Sequence, residues 1–300
     1  MKKYFHLSCK VFSLSILLVL LFSQSVLAQE NTGEQTGPDN RPAKPAFESG
    51  LLFDQQTSTI PIKNTLEFVI QHRFATVENG KSDLWGIWGV SNIRLGLNFV
   101  PMKNLLVGWG TTKFKKAQDF QVKYNILQQT RSNSMPVSLT VYGNWQIDCS
   151  ADDAFGLDYK FSNRYSYFTE LIITRRFSNA LSVQVAPTFT HFNAVDSLVD
   201  HDRIGLSFGA RYKVSPQVSF IATYDLPLKI KGITEWNPVP EPAEPNFCVG
   251  AEISTSTHAF HLWLGSSQGI LPQEVMMTNK NNFFEGQFML GLNITRVWNF

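Results

Sequence analysis

The sequence predicts an all-β protein, an antiparallel up-and-down transmembrane β-barrel of about 12 strands over residues 62–300. Three observations carry that reading. Apolar and polar residues alternate with period two in about twelve successive segments, and no helical period competes over a comparable length. The connectors between the segments are mostly short at one end and long at the other, as in a barrel whose two ends face different compartments. The composition is aromatic-rich and charge-poor, with 24 Phe and 17% charged residues, where soluble domains carry about 25%. Mean hydropathy is only −0.10, which argues against a bundle of apolar helices. A strand of about 10 residues crosses a bilayer with about five apolar side chains, so its lipid-facing and lumen-facing halves cancel in the average.

Residues 1–28 read as a cleavable export signal. Lys2, Lys3 and Lys10 form its basic start, Val11 to Phe22 its apolar stretch, and Val26-Leu27-Ala28 a cleavage site before Gln29. The apolar stretch is too short for a helical span, which needs about 20 residues. Cys9 precedes that stretch, so it is not the lipid-modified cysteine of a lipoprotein signal. Without the three lysines the 26 basic residues become 23 against 24 acidic, a net charge of about −1. No basic surface for nucleic acid stands behind the sequence pI of 8.3. Residues 29–61 are expected to form a flexible periplasmic leader, with Pro38, Pro42, Pro45, Gly33, Gly37 and Gly50 among polar residues. Its Leu51-Leu52-Phe53 cluster can tuck against the domain that follows.

The alternating segments then follow in order. Leu66, Phe68 and Ile70 share one face of the first; Ile93, Leu95, Leu97 and Phe99 of the second; Leu105, Val107 and Trp109 of the third. Phe120, Val122, Tyr124 and Ile126 mark the fourth, Val137, Leu139 and Val141 the fifth, and Tyr167, Leu171 and Ile173 the sixth. Leu181, Val183 and Val185 mark the seventh, Ile204, Leu206 and Phe208 the eighth, and Val218, Phe220, Ala222 and Tyr224 the ninth. Phe247, Val249, Ala251 and Ile253 mark the tenth, Phe260, Leu262 and Leu264 the eleventh, and Phe288, Leu290, Leu292 and Ile294 the last. The opposite faces carry Gly, Asn, Ser and Gln. A soluble sandwich would turn its apolar face inward, but a membrane barrel turns it to lipid.

Connectors after the second, fourth, sixth, eighth and tenth segments are short, from Pro101–Asn104 to Thr255–Thr257. Those after the first, fifth, seventh, ninth and eleventh are long, from Thr76–Val90 to Ser266–Asn282; only Lys113–Ala117 breaks the rule. Lipid cannot satisfy an open strand edge, so the last strand must pair with the first. An even count returns both mature termini to one side, the periplasm. Aromatics near strand ends (Trp109, Tyr124, Trp145, Tyr167, Tyr224 and Trp298) suit interfacial girdles.

The chain ends in Trp298-Asn-Phe300, which is similar to the C-terminal strand signal that the assembly machinery of Gram-negative outer-membrane barrels reads. Leu66-Glu-Phe-Val-Ile-Gln-His-Arg-Phe74, Asp83-Leu-Trp-Gly-Ile-Trp-Gly89 and Ser91-Asn-Ile-Arg-Leu-Gly96 further resemble one family, as do Gly110-Thr-Thr-Lys113 and Gln128-Gln-Thr-Arg-Ser-Asn-Ser-Met-Pro136. It is a group of β-barrel proteins of unknown function from Bacteroidetes-type bacteria, and the resemblance runs from about Phe47 to Phe300. It implies the barrel and its outer-membrane lipid surroundings, and no activity.

Candidate chemistry is sparse. His72 and His191 sit on the apolar phase of their strands without a Ser and an Asn spaced to complete a hydrolytic triad, so no catalytic group is expected. His258 and His261 fall on opposite strand faces and His201-Asp202 lacks a third ligand, so neither a metal site nor another cofactor is expected. Cys149 and Cys248 both fall near the expected outer rim; a disulfide would need Cα atoms within about 7 Å, while the barrel sets them five strands apart. Nine charges point to the lumen: Glu67, Arg73, Arg94, Lys123, Glu170, Arg203, Arg211, Asp225 and Glu252. Their near balance suggests mutual salt bridges filling the barrel, although twelve strands also permit a narrow pore. Trp85 and Trp88 in the first long loop are candidates for binding a sugar or partner, with an inward fold or an outer girdle the plainer expectation. Pro238 to Pro245 reads as a stiff polyproline spacer. The leading expectation is a passive or narrow-specificity pore for small solutes. The alternatives are a closed structural or partner-binding barrel and, less favoured, a lipid-acting enzyme.

Overall fold

The computed structural model describes residues 37–196, 200–230 and 243–300. The expected export signal and most of the Pro238–Pro245 spacer lie outside these residues.

A two-stranded hairpin, β1 (Leu51–Leu52) and β2 (Gln55–Gln56), precedes the barrel. The barrel strands are β3 (Thr65–Thr76), β4 (Asn92–Met102), β5 (Leu105–Thr112), β6 (Gln118–Leu127), β7 (Ser138–Ile147) and β8 (Tyr165–Arg176). They continue with β9 (Leu181–Phe192), β10 (Asp202–Lys213), β11 (Val218–Leu228), β12 (Asn246–Ser254), β13 (His258–Gly265) and β14 (Met289–Asn299). Each pairs antiparallel with its neighbours in sequence, and β14 pairs with β3 to close a 12-strand barrel. Closure runs through Ile294↔Ile70 and Leu292↔His72 in register.

Burial follows the period-two pattern. Along β4, Asn92, Arg94 and Asn98 are buried while Leu95, Leu97 and Phe99 are exposed. Trp109, Tyr124, Trp145 and Tyr167 face outward near strand ends. Such an arrangement is stable only where apolar side chains meet lipid rather than water. Short turns close one end by backbone bonds, such as Val214 N–H to Val218 O at 3.0 Å and Thr255 N–H to His258 O at 2.8 Å.

No helix among the described residues is long and apolar enough to cross a membrane. The α-helix α1 (Pro272–Thr278) lies in the long connector between β13 and β14, and its Gln273, Glu274, Val275, Met276 and Met277 are buried. Seven residues form no stable helix alone, so tertiary packing holds it.

The segment expected to be one leader divides in the structure. Asp39 to Ala43 run along the β6–β7 turn, through Ala43 N–H to Gln129 O (2.7 Å) and Arg131 N–H to Arg41 O (3.0 Å). Ala46 to Ser58 are instead mostly buried within the barrel, which corrects the expectation of a loose leader up to residue 61. The cause is apolar: Phe47, Leu52 and Phe53 form one cluster with Ile221, Cys248 and Trp263 of the barrel wall.

Candidate functional site

The lumen is filled from both ends. The Ala46–Ser58 hairpin enters and leaves by the short-turn end, since Asn64 N–H already bonds Val100 O there at 2.8 Å. At its tip Phe53 adopts a left-handed φ of 55°. The next residue, Asp54, forms an ion pair with Arg73 of β3, both side chains essentially inaccessible. Asp54 also accepts from the Asn246 amide at 3.1 Å and contacts Cys248 Sγ at 3.5 Å. Arg73 further donates to Asn293 Oδ1 at 3.0 Å, and its guanidinium lies 4.2 Å from the Trp263 ring centre. Phe53 stacks on the same Trp263 at 5.1 Å, and its carbonyl accepts from Asn293 Nδ2 at 2.8 Å.

Behind the tip, Gln55 donates to Asp225 at 2.8 Å, Gln184 donates to Gln56 O at 2.9 Å, and Lys123 donates to Gly50 O at 3.0 Å. At the base, Glu48 accepts from Arg211 at 2.9 Å and from Lys213 at 2.8 Å. Partial burial alone would raise the Glu48 carboxyl. The Lys213 hydrogen bond and the two cationic charges outweigh it and hold the group below its ordinary range. Apart from its apolar and aromatic contacts, the hairpin is therefore held by reversible polar contacts from β3, β6, β9 to β12 and β14.

Trp263 is the platform for the tip. It fits because glycines occupy the adjoining inward positions: a Cβ on Gly291 of β14, or on Gly265, would collide with its ring. Glycine inside a strand often marks such a close approach.

The second insert comes from the long-loop end. Gln273 of α1 donates to Asn144 at 2.8 Å, and Gln146 donates to Glu274 at 3.3 Å. Met276 packs with Tyr142, Phe168, Ile172 and Ala186. Where the two inserts meet, Asp54, Gln55, Glu170, Asp225 and Met276 wall a cavity of about 10 Å³. That is room for about one water, not for a solute stream.

All nine predicted lumen charges are buried: Glu67, Arg73, Arg94, Lys123, Glu170, Arg203, Arg211, Asp225 and Glu252. Their expected mutual pairing is corrected. Within the set the salt bridge formed is Arg211 to Glu252, at 3.5 Å. Arg73 takes Asp54, Arg211 also takes Glu48, and Lys123 takes the Gly50 carbonyl, so hairpin groups supply partners the wall does not. Arg94 pairs with Asp119 at 2.7 Å and Arg203 with Asp200 at 3.3 Å. Glu170 Oε1 faces no hydrogen-bond partner. Asp119 was missed although it continues the inward phase of Gln121 and Lys123; Asp54 and Glu48 lie in a segment without periodicity.

Trp85 and Trp88 are exposed on the long-loop end, at 49% and 72%. Trp298 lies beneath the Arg296 guanidinium at 4.8 Å, and Phe300 is exposed. His191 has both ring nitrogens engaged, by Asp202 at 2.8 Å and Asn193 at 3.0 Å; His72 packs on Phe74. Cys149 and Cys248 are both free, one exposed and one buried under the hairpin. Among the described residues no three His, Cys, Asp or Glu side chains converge as metal ligands.

A family model described as a membrane bound beta barrel domain (DUF5777) matches residues 47–298. Among solved structures, the chain is similar to the NanC porin at 10% identity and a TM-score of 0.47, over 78% of this chain and 99% of that one. It is similar to the KdgM porin at 8% and 0.45, over 77% and 98%. It is also similar to an outer membrane channel from Pseudomonas putida F1 at 16% and 0.46, over 80% and 97%. No curated protein matches the chain.

Proposed function

We propose that this chain, which belongs to the family of membrane bound beta barrel domains (DUF5777), is an outer-membrane channel for small solutes that rests shut, with the Ala46–Ser58 hairpin as its removable stopper. One observation carries the reading. The hairpin enters and leaves by the same end and is joined to a polar wall by hydrogen bonds and ion pairs, so it can withdraw without threading the barrel. The wall it would expose, with Arg73, Lys123, Gln184, Arg211 and Asp225, is one that water solvates. Twelve strands enclose more room than their own side chains fill, between the packed eight-stranded and the open sixteen-stranded barrels. In this reading the short-turn end and both mature termini face the periplasm, and Trp298 and Phe300 serve barrel assembly.

The test uses Cys248. Its Sγ lies 3.5 Å from Asp54 Oδ2, so Asp54→Cys places a second thiol within reach. Oxidation, verified by mass, locks the hairpin to β12. Reduction frees a hairpin that also lacks its ion pair to Arg73. Planar bilayers are expected to show current steps after reduction and none before. Silence in both states would reject the hairpin as the removable stopper and leave the second reading, a closed structural or partner-binding barrel, which the α1 insert at the opposite end favours.

A further inference from the structure

Only the first half of the β13–β14 connector enters the lumen. After α1 the chain crosses the rim of the barrel. Asn279 Nδ2 donates to Glu244 O, just before β12, at 3.0 Å, and Asn281 Nδ2 donates to Ser266 O, just after β13, at 2.9 Å. A 3-10 turn, Phe283–Glu285, follows. Asn282 fixes its start: the side chain accepts from Phe284 N–H at 3.0 Å, and the backbone N–H donates to Gln287 Oε1 at 2.9 Å. Gln287 N–H in turn donates to Asn282 O at 3.2 Å. Gly286 ends the turn at a left-handed φ of 85°, and Phe288 O accepts from Val77 N–H at 2.9 Å. The segment between α1 and β14 is thus pinned along its length.

The turn lies against the outside of the wall. Phe247 belongs to the outward phase of β12, since Asn246 and Cys248 on either side are buried while Val249 and Ile253 are exposed. Phe288 precedes the buried Met289, so it shares the outward phase of Leu290 and Leu292. Phe283 bridges the two, its ring centre 4.9 Å from that of Phe247 and 5.1 Å from that of Phe288. Phe284 stacks on Phe247 at 5.6 Å with 26° between the ring planes, yet leaves 79% of its own surface exposed. Four phenylalanines therefore carry the outward apolar face of the wall beyond the ends of β12 and β14.

We propose that Phe283 and Phe284 embed in the lipid leaflet at the long-loop end and anchor there the connector that carries α1. The occupant of this patch is lipid because the patch is continuous with a surface that lipid already covers: Phe247 stands in line with Val249, and Phe288 with Leu290. A phenylalanine held rigidly in the open is stable where apolar chains rather than water surround it. The amides of Asn281, Asn282 and Gln287 interleave with the rings, the pairing of apolar body and polar edge that suits a membrane interface. The connector then grips the wall from both faces, with α1 inside and two rings outside. This anchoring does not depend on whether the hairpin ever leaves the lumen.

The experiment attaches a nitroxide at residue 284, through Phe284→Cys in a full mature chain that also carries Cys149→Ser and Cys248→Ser, folded into dioleoylphosphatidylcholine vesicles. Leu262→Cys, on the outward face of β13, supplies the lipid reference, and Asp153→Cys, exposed in the β7–β8 connector, the aqueous one. Power saturation compares oxygen, which concentrates in lipid, with a water-soluble nickel chelate. The ratio of oxygen to nickel accessibility at residue 284 is expected to exceed that of the aqueous reference several-fold and to approach that of the lipid reference. A ratio equal to the aqueous reference would overturn the proposal. Shielding from both reagents would also overturn it, because protein, such as a second copy of the chain, would then cover the patch. A heat-modifiable gel shift checks that each variant is a folded barrel. Unlabelled protein gives a second readout: in the same vesicles Phe284→Ser is expected to speed proteolysis between Asn279 and Gln287 several-fold, while Asp153→Ser leaves it unchanged. An unchanged rate in Phe284→Ser would refute the anchoring.

Discussion

Asp54→Asn isolates the contact that seats the hairpin tip. The substitution keeps the side-chain volume and removes the charge facing Arg73, in a pair whose side chains are 1% and 0% exposed. Breaking a fully buried pair from one side costs about 3–5 kcal/mol, because the remaining charge stays desolvated. Arg73 retains Asn293 Oδ1 at 3.0 Å and the face of Trp263 at 4.2 Å, which points to the lower figure. About 3 kcal/mol in favour of the undocked hairpin raises its population roughly 100-fold. Cys248 reports that population, because it is 0% exposed and lies against Asp54 when the hairpin is docked. With the exposed Cys149 replaced by Ser, maleimide labelling of Cys248 should accelerate about 100-fold in Asp54→Asn, provided reclosing outpaces labelling. A rate unchanged by the substitution, or wild-type Cys248 labelling as fast as an exposed thiol, would refute the seating of the hairpin by this pair.

Other perturbations test neighbouring parts. Gly291→Ala drives a methyl into the Trp263 ring and should destabilise the folded barrel by about 1–3 kcal/mol, read as a lower midpoint of the heat-modifiable gel shift. Met276→Ala empties part of the cluster with Tyr142, Phe168 and Ile172 and should loosen α1 at a cost of about 2–5 kcal/mol, read as faster proteolysis within the β13–β14 connector. Glu48 has a folded carboxyl below its ordinary value of 4.5, so its anchoring is fully present above that pH and is lost as pH falls through the folded value. Hydrogen exchange over residues 46–58, corrected for intrinsic rates, should therefore rise in acid in the wild type and depend less on pH in Glu48→Gln.

The barrel was legible because lipid imposes period two on every strand and excludes charge from one face. Even β13 followed, although an inward Trp263 blurs its pattern. The nine inward charges were readable from phase alone, but their partners were not. Phase reports direction, and the partners of Arg73, Lys123 and Arg211 include groups of a segment with no phase. Leu51-Leu52-Phe53 reads as a scrap of apolar sequence until Trp263 and Ile221 supply the surface that it fits. The helix α1 was unreadable for a related reason, as seven residues are two turns and show no repeat. Asp119 lies just before Phe120, the first apolar residue of its segment, where the alternation has not yet begun.

The hairpin tip also bears on how the barrel is made. Asp54 holds Arg73 of β3, the Phe53 carbonyl accepts from Asn293 of β14, and Arg73 bonds that same asparagine. These are the first and last barrel strands, so the tip spans the seam at which the sheet closes. Although the hairpin precedes every barrel strand in the chain, the docking site of its tip is complete only when β14 has joined β3. Full seating of the tip therefore reports a correctly joined seam.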